Sequence, residues 1–179
     1  HGLGDKPYLL ISGSRTSYKN VSLVFDALLE MPDIRANYAI VCTGGGSLEP
    51  ELRAKADGLD VRILLLDDQD MQCAYTGATA LLYPSLYEGF GLPVIEAMRL
   101  GVPVLTSDVG ATKEIAADAA CLVDPGSVSS IAQGLTSLLQ SPTRRQQLAQ
   151  KGRARAAEFS WQKTAQLTLS SLLKSRPEK

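Results

Sequence analysis

The sequence has almost no histidine. Its only one is His1, at the first position. A histidine-ligated metal site and a serine–histidine catalytic pair are therefore not expected. Cysteine is scarce and odd in number, with Cys42, Cys73 and Cys121 widely spaced and no CxxC pair. Cys42 and Cys121 lie in the apolar runs "AIVC" and "AACLV", and all three read as reduced thiols in a reducing compartment. No stretch approaches the ~18 continuous apolar residues of a membrane span, and no signal-peptide pattern is read. Excess charge is missing too. A net charge of −1 gives no field that would draw the chain to nucleic acid or to an anionic membrane.

What is present is apolar content. At 179 residues and 45% hydrophobic, the chain has the length and composition of one packed domain. Short apolar runs alternate with longer stretches of helical period. "YLLISG" (8–13), "YAIVCTG" (38–44), "VRILLL" (61–66), "ATALLYP" (78–84), "GVPVLTS" (101–107) and "ACLVD" (120–124) read as strands. Helices are expected over 19–31, 50–58 and 69–77, and from Pro93 onward. Such alternation means βαβ units, and near-continuous apolar strands mean a sheet covered on both faces. The expected fold is α/β, a Rossmann-like doubly wound parallel sheet of about six strands with helices on both faces. Three C-terminal helices are expected over 127–141, 142–159 and 160–175. Pro142 suits a first turn, with Ser141 and Ser160 as N-caps.

One stretch stands apart: "SLYEGFGLPVIEA", residues 85–97. In a doubly wound sheet, ligands bind at the carboxyl ends of the strands. Gly89 and Gly91 allow close approach of backbone N–H groups, and the helix that begins at Pro93 offers unpaired donors and a partial positive charge, a combination that holds phosphate. Glu96, one turn in, can accept from a vicinal diol such as that of a ribose. It could equally favour its helix N-terminus or pair with Arg99. Its apolar neighbours place it in partly buried ground. Glu88 precedes the glycines and falls on the other side of the phosphate. A nucleotide sugar has that layout.

The loop "GSRTSYKN" (13–20) adds Arg15 and Lys19 at another carboxyl edge, as phosphate ligands or as solvated cations. "TGGGS" (43–47) reads as a plain turn or as room for a base or ribose, with Gly44 the candidate contact. It carries no Walker lysine, and no full GxGxxG occurs. The basic helix "RRQQLAQKGRAR" (144–155) reads as a solvated face or as a surface for anionic lipid or nucleic acid.

The run "YPSLYEGFGLPVIEAMRLGVPVLTSDVGATKEIAADAACLVDP" (83–125) resembles the donor-site signature of retaining glycosyltransferases of family 4, which have the GT-B fold. "GSRTSYKN" and "FSWQKTA" resemble the first loop and closing helix of the same C-terminal domain. The resemblance implies catalytic roles for Glu88, Arg15 and Lys19: Glu88 beside the transferred sugar, the two cations on the diphosphate leaving group. It implies that Gly89, Phe90, Gly91 and Leu92 grip the distal phosphate and that Glu96 holds the ribose. It implies a nucleotide diphosphate sugar donor, GDP-mannose or a UDP-sugar, with no cofactor and no metal. Two positions depart from the pattern: Thr79 stands where the family often has an acid, and "LDDQDMQ" (66–72) is unusually acidic.

The resemblance further implies that residues 1–179 are the single donor-binding half of a GT-B enzyme. Residues 1–7 would be an interdomain linker and 176–179 a frayed tail. An N-terminal Rossmann-like domain would hold a glycan or lipid acceptor. The last helix would then leave an apolar face exposed. Partners on this reading are the donor, that domain and the acceptor, with no nucleic acid, in the cytoplasm and with peripheral membrane association through the full-length protein. A non-catalytic nucleotide-sugar-binding module and a nucleotide-sugar epimerase of the same fold are the alternatives.

Overall fold

The computed structural model describes residues 6–15 and 17–174. Most of the expected linker and all of the expected frayed tail lie outside the described residues.

Six strands form one parallel sheet: β1 (Tyr8–Ser12), β2 (Ala39–Thr43), β3 (Val61–Leu64), β4 (Ala80–Tyr83), β5 (Val104–Ser107) and β6 (Cys121–Val123). The strand order is β3-β2-β1-β4-β5-β6, and every pairing is parallel. The helices are α1 (Val21–Leu29), α2 (Pro32–Asn37), α3 (Pro50–Ala56), α4 (Asp68–Thr76), α5 (Leu92–Leu100), α6 (Gly110–Ala116), α7 (Val128–Leu139), α8 (Pro142–Ala156) and α9 (Trp161–Lys174). Short α2 and α6 add to the expected helices. Ser141 caps α8 by accepting from the Arg144 amide, and Ser160 accepts from the Lys163 amide.

Strand side chains alternate between two cores, as a period of two requires. Leu9 and Ile11 of β1 join Ile40, Leu82, Phe25 of α1 and Leu135 of α7 on one face. Leu10 joins Val41, Leu81, Tyr75 of α4 and Met98 of α5 on the other. Both faces are covered, so β1, β2, β4 and β5 are buried throughout. That is why the strands read as unbroken apolar runs. Edge strand β3 is only partly buried, and Leu65 beyond it is exposed.

The basic helix is tied to the protein. Arg145 of α8 donates to the last carbonyls of α7, those of Leu138 and Leu139, and Arg155 donates to the Ile115 and Glu114 carbonyls. Lys151 pairs with Asp118 at 2.6 Å. In contrast, α9 buries none of its residues, and Trp161, Leu167, Leu169 and Leu173 are exposed on it. No described helix is long and apolar enough to cross a membrane.

All three cysteines are free. Burial pushes the Cys42 thiol up to about 11, against a small opposing pull from Arg15, and burial raises Cys121 as well. Cys73 is exposed. Thiolate fraction and access both control reactivity. A disulfide reagent at neutral pH should therefore consume one thiol quickly in the native chain and three after denaturation. Three fast native thiols would contradict this packing.

Candidate functional site

The order of the strands decides where the site lies. The chain steps from β1 outward to β3, then returns to β4 beside β1 and steps outward the other way. The carboxyl ends of β1 and β4 flank the reversal, where an open α/β sheet forms its crevice. The loop leaving β1 carries Arg15 and Lys19, and the loop leaving β4 carries Glu88 and the glycines.

Lys19 is at the centre. Its Nζ donates to Glu88 Oε1 and to the Tyr83 hydroxyl, each at 2.7 Å. It also lies 4.8 Å from the centroid of the Tyr83 ring. The Lys19 and Glu88 side chains are 14% and 11% exposed, so the pair is poorly screened by solvent. Burial, reinforced by a hydrogen bond to Glu88, raises the Tyr83 hydroxyl well above its ordinary value and keeps it protonated. The phenol therefore donates to the carboxylate while it accepts from the ammonium.

Asn20 sets this geometry. It holds the left-handed conformation just ahead of α1 (φ 61°), which asparagine tolerates better than most residues. Its buried amide donates to the carbonyls of Pro84 at 3.0 Å and Pro125 at 2.6 Å. The start of α1, and Lys19 before it, are thus fastened to the loop that carries Glu88. The Leu86 amide donates to the Tyr18 carbonyl at 2.7 Å, and Ser107 Oγ donates to the Ser85 carbonyl at 2.5 Å. Sequence reasoning missed Asn20 and Tyr83. An asparagine directly ahead of a helix was a usable signal for the first.

Arg15 has different partners. It is 8% exposed, and its guanidinium donates to the carbonyls of Gly44, at 2.5 Å, and Gly46. The two cations expected to act together thus hold separate groups: Lys19 meets the acid, and Arg15 pins the glycine-rich turn. The turn itself has a packing reason. Gly45 lies at φ +66°, and a Cβ there would fall 2.7 Å from the Ser14 Cα. The two loops approach too closely for any side chain.

The turn 86–91 enters α5 through Gly91, at φ +106°. The amides of Gly89, Phe90 and Gly91 form no hydrogen bond among the described residues. With Leu92 and Pro93 opening α5, they leave unpaired donors at a helix start. The Phe90 ring meets Phe159 edge-on, with centroids 6.1 Å apart.

Glu96 is exposed, contrary to the expectation of partly buried ground. Helix α5 buries Val94, Ile95, Ala97 and Met98, and it turns Glu96 and Arg99 outward. Nor do those two pair, since Arg99 donates to the Phe159 carbonyl instead. Glu96 Oε2 accepts from the Tyr75 hydroxyl at 2.9 Å. Among the described residues no three His, Cys, Asp or Glu side chains cluster as metal ligands would.

Residues 1–155 match the family model described as glycosyl transferases group 1. The chain belongs to that family. Among curated relatives of this group 1 glycosyltransferase domain is an O-antigen chain mannosyltransferase B from Escherichia coli. It is 31% identical over 171 residues, which are 92% of this chain and 45% of that protein. The chain thus spans less than half the length of that relative. Solved neighbours include a sucrose-phosphate synthase from Thermosynechococcus elongatus. Its TM-score is 0.78 at 26% identity, covering 96% of this chain and 47% of that one. A C-terminal domain of a glycosyl transferase group 1 family protein (LpcC) from Francisella tularensis gives a TM-score of 0.75 at 26% identity, covering 86% and 85%. The structural neighbours are glycosyltransferases of the GT-B fold, and the parallel six-stranded Rossmann-like sheet is the one expected.

Proposed function

We propose that this chain is the donor-binding half of a retaining, metal-independent family 4 glycosyltransferase. It binds a nucleoside diphosphate sugar at the carboxyl edge of β1 and β4. An N-terminal Rossmann-like domain of the same protein supplies a glycan or lipid acceptor, in the cytoplasm. The mannosyltransferase relative supports mannose as the transferred sugar and GDP-mannose as the first donor to test. The observation that carries the reading is the meeting of Lys19, Glu88 and unpaired loop amides at one helix start.

The chemistry follows from that arrangement. Breaking the bond between sugar and diphosphate leaves growing negative charge on the phosphate and positive charge at the anomeric carbon. Lys19 and the amides of 89–91 are fixed dipoles and charge for the former, and preorganised electrostatics of this kind is usually the largest catalytic term. Glu88 orients the sugar and steadies the latter. Arg15 acts by holding the turn at Gly44, and Glu96 takes the ribose. The exposed face of α9 suits a return toward the missing domain.

Calorimetry with GDP, UDP and ADP tests the reading. One of them should bind, and Glu96→Ala should weaken it at least about tenfold, the worth of a hydrogen bond to a charged group. No binding of any of them at millimolar concentration sinks the proposal. The span of less than half of the relative favours a second reading for the chain in isolation, binding without transfer. It predicts nucleotide affinity with no sugar release.

A further inference from the structure

We infer that Tyr75 is a positioning residue that holds Glu96 for a ribose and so makes the site select nucleotides bearing a 2′,3′-diol. This rests on the donor-binding reading above. The geometry is a relay of three side chains from three elements. Ser12 ends β1, Tyr75 lies on α4 and Glu96 on α5. The Tyr75 oxygen stands 3.1 Å from Ser12 Oγ and 2.9 Å from Glu96 Oε2.

A phenol has one proton, and a carboxylate only accepts. The Tyr75 proton therefore goes to Glu96, and the Ser12 hydroxyl donates to the Tyr75 oxygen. Burial raises the Tyr75 hydroxyl above its ordinary value, so the donor persists through the neutral range. Tyr75 is 3% exposed and packed in the second core, so the donor cannot wander.

Glu96 needs such an anchor. It is exposed, and its neighbour Arg99 is engaged with the Phe159 carbonyl. A free glutamate on a helix surface samples many rotamers, and ordering it opposes binding. With Oε2 fastened, Oε1 keeps both lone pairs and Oε2 keeps one. That set is sufficient for two adjacent hydroxyls. A dideoxy sugar would leave it unmatched.

The test compares GDP with 2′,3′-dideoxy-GDP, and UDP with its dideoxy analogue, by calorimetry on the 179-residue chain. The wild type should prefer the diol. Tyr75→Phe keeps the ring and should weaken the diol-bearing ligand about two- to tenfold, the cost of ordering a released glutamate on binding. It should leave the dideoxy affinity unchanged. Because Tyr75→Phe strands the Ser12 hydroxyl, the double variant Ser12→Ala/Tyr75→Phe is measured beside it, with circular dichroism to confirm folding, and should show the same loss of selectivity. In a Glu96→Ala background Tyr75→Phe should change nothing further. The inference fails if Tyr75→Phe keeps the wild-type preference, or if both ligands weaken equally in a folded variant. If the wild type binds both ligands equally, the ribose assignment of Glu96 falls, and this inference with it. If the wild type binds no nucleotide at all, the whole donor-binding reading falls too.

Discussion

On the donor-binding reading proposed above, Lys19→Ala should lower sugar transfer 10²–10³-fold, the usual cost of removing one preorganised donor aimed at a developing anion, or about 2.7–4 kcal/mol. The loss exceeds that of one contact because Lys19 also neutralises Glu88 at 2.7 Å in shielded ground. Without the ammonium, the Glu88 carboxylate faces the diphosphate as a like charge. The same geometry predicts an opposite sign for Glu88→Gln. That variant frees Lys19 for phosphate, so a bare nucleoside diphosphate should bind more tightly while transfer falls. Steady-state kinetics with donor and acceptor, beside calorimetry with the diphosphate, read both effects. Equal losses of diphosphate affinity in the two variants would mean that the Lys19–Glu88 pair is structural only.

Gly45→Ala should destabilise the fold by about 2–5 kcal/mol. The left-handed conformation costs a side chain about 1–2 kcal/mol, and overpacking adds about 1–3 kcal/mol. The new Cβ would meet backbone, at 2.7 Å from the Ser14 Cα and 3.1 Å from the Gly13 oxygen, and backbone cannot rotate away. The loop after β1 must move, and it carries Arg15 and leads to Lys19. Nucleotide affinity should therefore fall with stability. Urea denaturation gives the first quantity and calorimetry the second. A variant as stable as the wild type would show that the two loops do not press together as described.

Those two positions mark how far the sequence could be read. The alternation of strand and helix was plain because both sheet faces are covered, which leaves apolar runs such as Leu9–Ile11 and Ala39–Cys42 unbroken. Strand limits were less clear. "GVPVLTS" includes Gly101, a left-handed helix cap, and Pro103, which has no N–H to donate, so β5 starts at Val104. Helix α2, of six residues, is too short to show a helical period, and α6 went unread although it is as long as α3.

The candidate site was readable in its residue types and spacing and opaque in its contacts. Lys19, Glu88 and the turn 89–92 were recognisable from "KN" and "EGFGLP". That Lys19 touches Glu88 depends on β1 lying beside β4, across 69 residues of sequence. The two tyrosines look like ordinary core residues in the sequence. Their hydroxyls acquire roles only when the sheet brings Tyr83 to Lys19 and Tyr75 to Ser12, 64 and 63 residues apart. The Glu96 environment was misjudged for a different reason. Apolar neighbours in a chain segment do not surround a residue when the helix turns each third position outward.

The pairing of β1 with β4 has a mechanical consequence. It joins the sheet at two residue pairs, Leu9 with Ala80 and Leu10 with Leu81, whereas β1 and β2 share five. Side chains close what the backbone ladder leaves short: both cores run unbroken across that joint, Leu9 and Ile11 packing with Leu105 and Ile131 on one face and Leu10 with Val104 and Ile115 on the other. The crevice therefore has a closed floor and walls already tied to each other by Asn20 and by the Leu86 amide, so whatever enters between Lys19 and the 86–91 turn meets a cleft shaped before it arrives.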